Sequence, residues 1–276
     1  MRNNTLTLIA ASVLALSACK KEAGNADAAV EADNAPTGML GDAANKAKAD
    51  AAAAALPQPD AGKPLSAYPE LDSGNQVMFL YVAASKLPPN HAKLAEAFSK
   101  EYRGTNDSFR KSDLLQAIKP QLDQAIAQAN ANPYAWMGVD EANLGAYDFE
   151  RKGFPVGEFN DGQYRYFNDN YEYKIGWKNY AQLAFAPVAD EAVARKLEAM
   201  RSDYGNKPRL KIYFFAQTAD LNNQRVEALV TRVQITDQSG RVLAEYGPDG
   251  SVAVAAPQAQ GSGDAAADAA ADVLGG

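Results

Sequence analysis

The sequence of 276 residues predicts an α+β fold, with N-terminal helices packed on an antiparallel sheet in a single domain between two low-complexity ends. Three observations carry that prediction. Apolar residues recur at helical spacing over roughly residues 77–129, and from about Tyr134 the spacing shortens toward two. The last strands are joined by a tight turn rather than by crossover helices, which is the pattern of helices segregated against a hairpin-rich sheet.

The elements follow in chain order. The apolar run Val77 to Ala84 fits either a buried helix or a strand, and its length favours helix. Asn90, after Pro88 and Pro89, caps a helix with Leu94, Ala95, Phe98 and Tyr102 on one face. A second helix is expected after Asp107 and Ser108, carrying Leu115, Ile118, Leu122, Ala125, Ile126 and Ala129, with a kink or a restart near Lys119 caused by Pro120. Short strands are expected at Leu144 to Glu150, Tyr164 to Phe167, Tyr171 to Ile175 and Gln182 to Ala186. Asp190 caps a helix carrying Val193, Leu197 and Met200. Two long strands follow, Arg209 to Thr218 and Arg225 to Thr236, the second with Leu229, Thr231, Val233 and Ile235 expected on one face. The turn at residues 237–240 leads into a final strand, Arg241 to Tyr246.

The two ends are different in kind. Residues 20–66 hold sixteen alanines and no aromatic residue. Such a segment buries too little apolar surface to offset its ordering entropy and is expected to be a tether. A coil of its length has an r.m.s. span of roughly 40 Å. The alanine-rich tail 251–276 is expected to behave likewise. The expected organisation is a signal segment at 1–18, Cys19 and the tether at 19–66, a globular domain at 67–250 and a tail at 251–276.

The signal segment rests on Arg2 followed by the apolar stretch Leu6 to Leu16, which is too short for a bilayer core of ~30 Å. Leu16-Ser17-Ala18-Cys19 directly after it resembles the lipobox of bacterial lipoproteins, matching at all four positions. That resemblance implies cleavage before Cys19, acylation of its thiol and amino group with palmitate-type chains, and a membrane anchor. Two or more acyl chains give stable anchoring where one gives only marginal binding. Lys20 stands where the inner-membrane retention signal of such proteins has Asp, which implies the outer membrane, periplasmic face.

Composition narrows the chemistry. Net charge is -7, and the domain from 67 to 250 carries 21 basic and 24 acidic side chains, which argues against nucleic acid as a partner. One cysteine excludes an internal disulfide and multi-cysteine metal sites, and one histidine excludes multi-histidine zinc sites. His91 shares an apolar stripe with Leu94, Phe98 and Tyr102, so it is expected to be a half-buried packing residue. No phosphate-binding glycine loop is present. The oxygen-rich stretches at 160–162 and 168–170 lack the spacing of a calcium loop. No cofactor is expected.

Paired carboxylates among Asp148, Glu150, Glu158 and Asp161 remain the one catalytic option, as in glycan hydrolases. The strongest local signal is aromatic. Residues 134–180 hold 13 of the chain's 25 aromatics. Tyr164, Tyr166, Tyr171, Tyr173 and Trp177 stand among polar residues and are the candidate ligand-binding set, because rigid aromatic rings give contact area at low entropy cost. The expected function is non-catalytic binding of an envelope glycan such as peptidoglycan, or of a periplasmic protein. The alternatives are an immunity or inhibitor lipoprotein directed at a cell-wall hydrolase, and a carboxylate-pair hydrolase.

The stretch Leu144 to Val156, with Tyr147-Asp148-Phe149 and Gly153-Phe154-Pro155, resembles a family of uncharacterised bacterial proteins with a domain of unknown function. The resemblance extends to the late hairpin and carries over no activity. It implies a strand that packs Tyr147 and Phe149 and turns at Gly153.

Overall fold

The computed structural model describes residues 55–253, and these form an α+β fold. Cys19, the signal segment, most of the expected tether and the tail beyond residue 253 lie outside the described residues. Among the described residues no helix is long and apolar enough to cross a membrane.

The helical half opens with α1 (Gly74–Ser85), which begins at a capping box: Ser73 Oγ accepts from Gln76 N, and Gln76 Oε1 accepts from Ser73 N. Its Val77, Met78, Leu80, Val82 and Ala83 are buried. Asn90 caps α2 (His91–Phe98). The stripe expected to continue to Tyr102 is broken at Ser99, which ends α2 and whose hydroxyl caps the short α3 (Lys100–Gly104). Asp107 then caps α4 (Ser108–Ala131). This helix runs through Pro120 without a restart. Proline removes the N–H that Gln116 O would accept, but both residues are on the exposed side, where water satisfies the carbonyl.

The sheet is built around two long strands. β1 (Tyr134–Val139), β6 (Arg209–Asp220) and β7 (Arg225–Thr236) are antiparallel neighbours in the order β1-β6-β7. The other edge of β7 is shared. Its first residues, Arg225 to Ala228, pair with β4 (Lys174–Trp177), and its last, Val233 to Thr236, pair with β8 (Val242–Tyr246). The β4–β7 pairing is parallel, whereas the other strand pairs among the described residues are antiparallel. β3 (Tyr164–Arg165) flanks β4, and β9 (Val252–Ala253) flanks β8. A separate ribbon joins β2 (Gly153–Pro155) to β5 (Phe185–Pro187). Between these lie α5 (Tyr180–Leu183) and α6 (Glu191–Ser202), the latter capped by Asp190 and burying Ala194, Leu197 and Met200.

One expected strand is absent and another is shortened and shifted. Leu144 to Glu150 forms only isolated bridges at Leu144–Val156 and Asp148–Gly153. Asp148 Oδ1 accepts from the backbone of Glu150 and Arg151 and turns the chain there. Tyr147 packs against Phe154, but Phe149 is 84% exposed, and the turn lies at residues 149–152, just before Gly153 rather than at it. Gln182 to Ala186 begins in α5 and joins the sheet ribbon only from Phe185.

The main core lies on the helical face of the sheet, where α1 packs on β6, β7 and β4. A smaller cluster of Tyr68, Tyr134, Tyr213 and Phe215 covers the opposite face. Residues 55–66, which composition placed in the tether, run over this second face. Asp60 N donates to Tyr134 Oη at 2.7 Å, and Gln217 Nε2 donates to Pro57 O at 2.8 Å.

The expected face of β7 is also split. One residue is inserted at Thr231 in β7 and one at Gln217 in β6, so the register shifts twice. Val226, Ala228 and Val230 are buried before the Thr231 bulge, and Val233 and Ile235 after it. Leu229 and Thr231 therefore do not share the core face of Val233 and Ile235. Both inserted side chains engage the crossing segment: Gln217 holds Pro57, and Thr231 Oγ1 lies 3.1 Å from Tyr68 Oη.

Candidate functional site

Five aromatic residues were expected to form one binding surface, and three do. Strand alternation separates them. Along β3 and the residues after it, Tyr164 and Tyr166 point outward at 48% and 52% exposure, while Arg165 and Phe167 are more covered. Tyr171, at 66%, follows in the loop before β4. Tyr173 and Trp177 are instead core residues. Tyr173 packs against Tyr81 with centroids 5.4 Å apart, and Trp177 against Phe214 at 5.5 Å. Burial, with Glu172 adding to it, pushes the Tyr173 hydroxyl up to about 12.

The loop that carries Tyr171 is pinned to the start of α1. Asp169 Oδ1 accepts from Gly74 N at 2.8 Å, and the Asn170 side-chain amide donates to Asn75 Oδ1 at 3.2 Å. A carboxylate at a helix N-terminus is also favoured by the helix dipole. The contact is close: a Cβ on Gly74 would lie 2.5 Å from Asn170 O. Of the oxygen-rich stretch 168–170, Asp169 and Asn170 thus hold the loop, and Asn168 is left exposed.

The three exposed tyrosines line an open groove of about 890 Å³. Tyr164 and Tyr166 have centroids 6.3 Å apart with planes tilted by 40°. Lys174 Nζ sits 5.1 Å from the Tyr164 ring centroid, within cation–π range. Lys93 from α2 and Gln224 from the β6–β7 turn complete the wall together with Asn168 and Glu172. Neither Lys93 nor Lys174 forms an ion pair among the described residues. Sequence reasoning missed Lys93 and Gln224, since only the packing of α2 and the β6–β7 turn beside β4 brings them there.

The other candidates have structural roles. His91 Nε2 lies 2.6 Å from Asp123 Oδ1, joining α2 to α4. Hydrogen bonds from Lys119 first and His91 second hold the Asp123 carboxyl below its ordinary range. Asp148 serves the turn described above, while Asp161 and Glu150 are exposed. Glu158 is buried, with Oε1 accepting from Asn143 N at 2.8 Å and lying 4.0 Å from Arg165. None of these four acids lines the tyrosine groove or two further grooves among the described residues. Of those two, one of about 440 Å³ lies beside the 55–66 segment, and one of about 790 Å³ lies between Phe149 and α6. Among the described residues no group of three or more His, Cys, Asp or Glu is placed to hold a metal ion.

The site is therefore an aromatic and cationic surface on an α+β scaffold. Compared with known proteins, the chain matches no family model, no curated protein and no solved structure.

Proposed function

We propose that this chain is a lipoprotein anchored through Cys19 to the periplasmic face of the outer membrane, and that its domain binds an envelope glycan or a periplasmic protein without catalysis. The anchor rests on Leu16-Ser17-Ala18-Cys19. The binding reading rests on one observation: Tyr164, Tyr166 and Tyr171 keep about half or more of their surface in water around a single groove. Clustered exposed aromatics are unusual on a surface with nothing to bind, and they recur at recognition sites.

The test uses the full chain in its native host. Labelled palmitate should enter the wild type and not Cys19→Ala. Pull-down from envelope extract should then be weakened by joint Tyr→Ala changes at 164, 166 and 171 with the melting temperature unchanged. Undiminished recovery would remove the groove from the reading, and failure to incorporate palmitate would remove the anchor.

A further inference from the structure

We infer that the groove selects a saccharide bearing carboxylates, with sugar rings on the tyrosine faces and the acid group at Lys93 and Lys174; this deepens the binding reading above and rests on it. The lining carries the argument. Its eight residues are three tyrosines, two lysines, two carboxamides and one glutamate, with no aliphatic side chain and no phenylalanine. A groove that takes a peptide by strand addition needs pockets at alternate positions for its side chains, and this lining supplies no apolar one. Tyrosine faces flanked by amides suit a polyhydroxylated ring instead. Its C–H faces lie on the aromatic rings, while its hydroxyls exchange hydrogen bonds with Asn168, Gln224 and Glu172.

Charge then selects among saccharides. The domain from 67 to 250 carries 21 basic against 24 acidic side chains, and this groove holds two ammonium groups against the single carboxylate of Glu172. Lys174 reaches only the π face of Tyr164, and Lys93 reaches no acid among the described residues. Two such cations on the wall of one groove, beside three exposed rings, are complementary to an anionic ligand. The tilt between Tyr164 and Tyr166 sets two platforms at an angle, which fits successive rings of a chain rather than one flat ring.

The experiment titrates the full mature chain in detergent with three probes. The first is a tetrasaccharide of alternating N-acetylglucosamine and N-acetylmuramic acid with free lactyl carboxylates. The second is chitotetraose, its uncharged counterpart, and the third is tetraglutamate. The acidic tetrasaccharide should bind at least tenfold more tightly than chitotetraose. K93A/K174A should abolish that preference by lowering the affinity for the acidic tetrasaccharide tenfold or more, well beyond any change for chitotetraose, and Y164A/Y166A/Y171A should weaken both saccharides tenfold or more. Unchanged melting temperatures keep the variants interpretable, and K93Q/K174Q serves as a second pair should the alanines lower them. Equal affinity for the two saccharides overturns charge selection and leaves a glycan-binding groove. Binding of tetraglutamate alone overturns the saccharide in favour of an acidic peptide. Binding of none overturns the inference, while the envelope pull-down separately decides whether the groove binds anything.

Discussion

The side-chain amide of Asn179 occupies the place of a missing strand beside Val230. Val230 N donates to Asn179 Oδ1 at 3.0 Å, and Asn179 Nδ2 donates to Val230 O at 2.8 Å. This is the stretch of β7 edge that falls between β4 and β8, so no backbone partner reaches it. Replacing Asn179 by Ala leaves both groups of a buried residue unpaired, and the expected loss is about 2 kcal/mol or more. Urea denaturation measures it, and the Val230 amide should exchange faster with solvent. A loss under about 0.5 kcal/mol would mean that water replaces the amide without cost.

Tyr171 and Tyr173 stand two residues apart and should respond oppositely to truncation. Tyr173→Ala removes a ring that is 2% exposed and packed on Tyr81, and should cost on the order of 3–5 kcal/mol. Tyr171→Ala should stay within about 0.5 kcal/mol. Thermal melts of the two variants decide it. Similar losses would show that the exposed ring also carries packing.

Gly74 should tolerate no side chain, whereas Gly138 should accept one freely. An added Cβ at Gly74 meets Asn170 O at 2.5 Å, and at Gly138 it meets nothing within 4 Å. Gly74→Ala is expected to cost roughly 1–3 kcal/mol through overpacking. It should also shift the tyrosine loop, seen as changed resonances at Tyr171. Gly138→Ala is the control and should leave both unchanged.

Asp237 makes the hairpin turn acid-sensitive. Burial opposes its ionisation, but hydrogen bonds from Ser239, Lys196 and Arg241 outweigh burial and hold its carboxyl far below the usual range. A group depressed in the folded state contributes stability that is complete above its unfolded value of 3.8 and is lost as pH falls toward the folded value. The stability gap between wild type and Asp237→Asn should therefore be widest near neutrality and narrow from about pH 5 to pH 2. A constant gap over that range, measured by denaturant titration at each pH, would contradict the assignment.

Local signals made much of this fold legible. Asn90, Asp107 and Asp190 announce their helices because a cap needs only a side-chain oxygen beside the first free N–H groups. The bounds of β7 follow from its period and the turns around it. Sequence reasoning fails where distant backbone decides. Period two cannot show that β7 changes phase, since the inserted Thr231 is defined only by its pairing with β6. Pro120 lies within α4 because its face is exposed, which no spacing rule records. For the site, composition located the tyrosines but could not tell outward from inward ones. Tyr171 and Tyr173 differ by where the chain enters β4, and Lys93 joins them from another element altogether.

The insertion at Thr231 also determines what kind of change the long hairpin can absorb. Elsewhere in a strand, substitutions exchange one side chain at a time. Removing Thr231 alone would restore strict alternation with Val226, Ala228 and Val230 facing the same way as Val233 and Ile235, at the cost of the Thr231 contact to Tyr68, whereas removing one residue elsewhere in β7 would turn the core residues on one side of the cut outward. Chain length is accordingly freer at this one position than at its neighbours in the strand, and loss of a single residue is expected to be tolerated at Thr231 where it would be excluded two residues away.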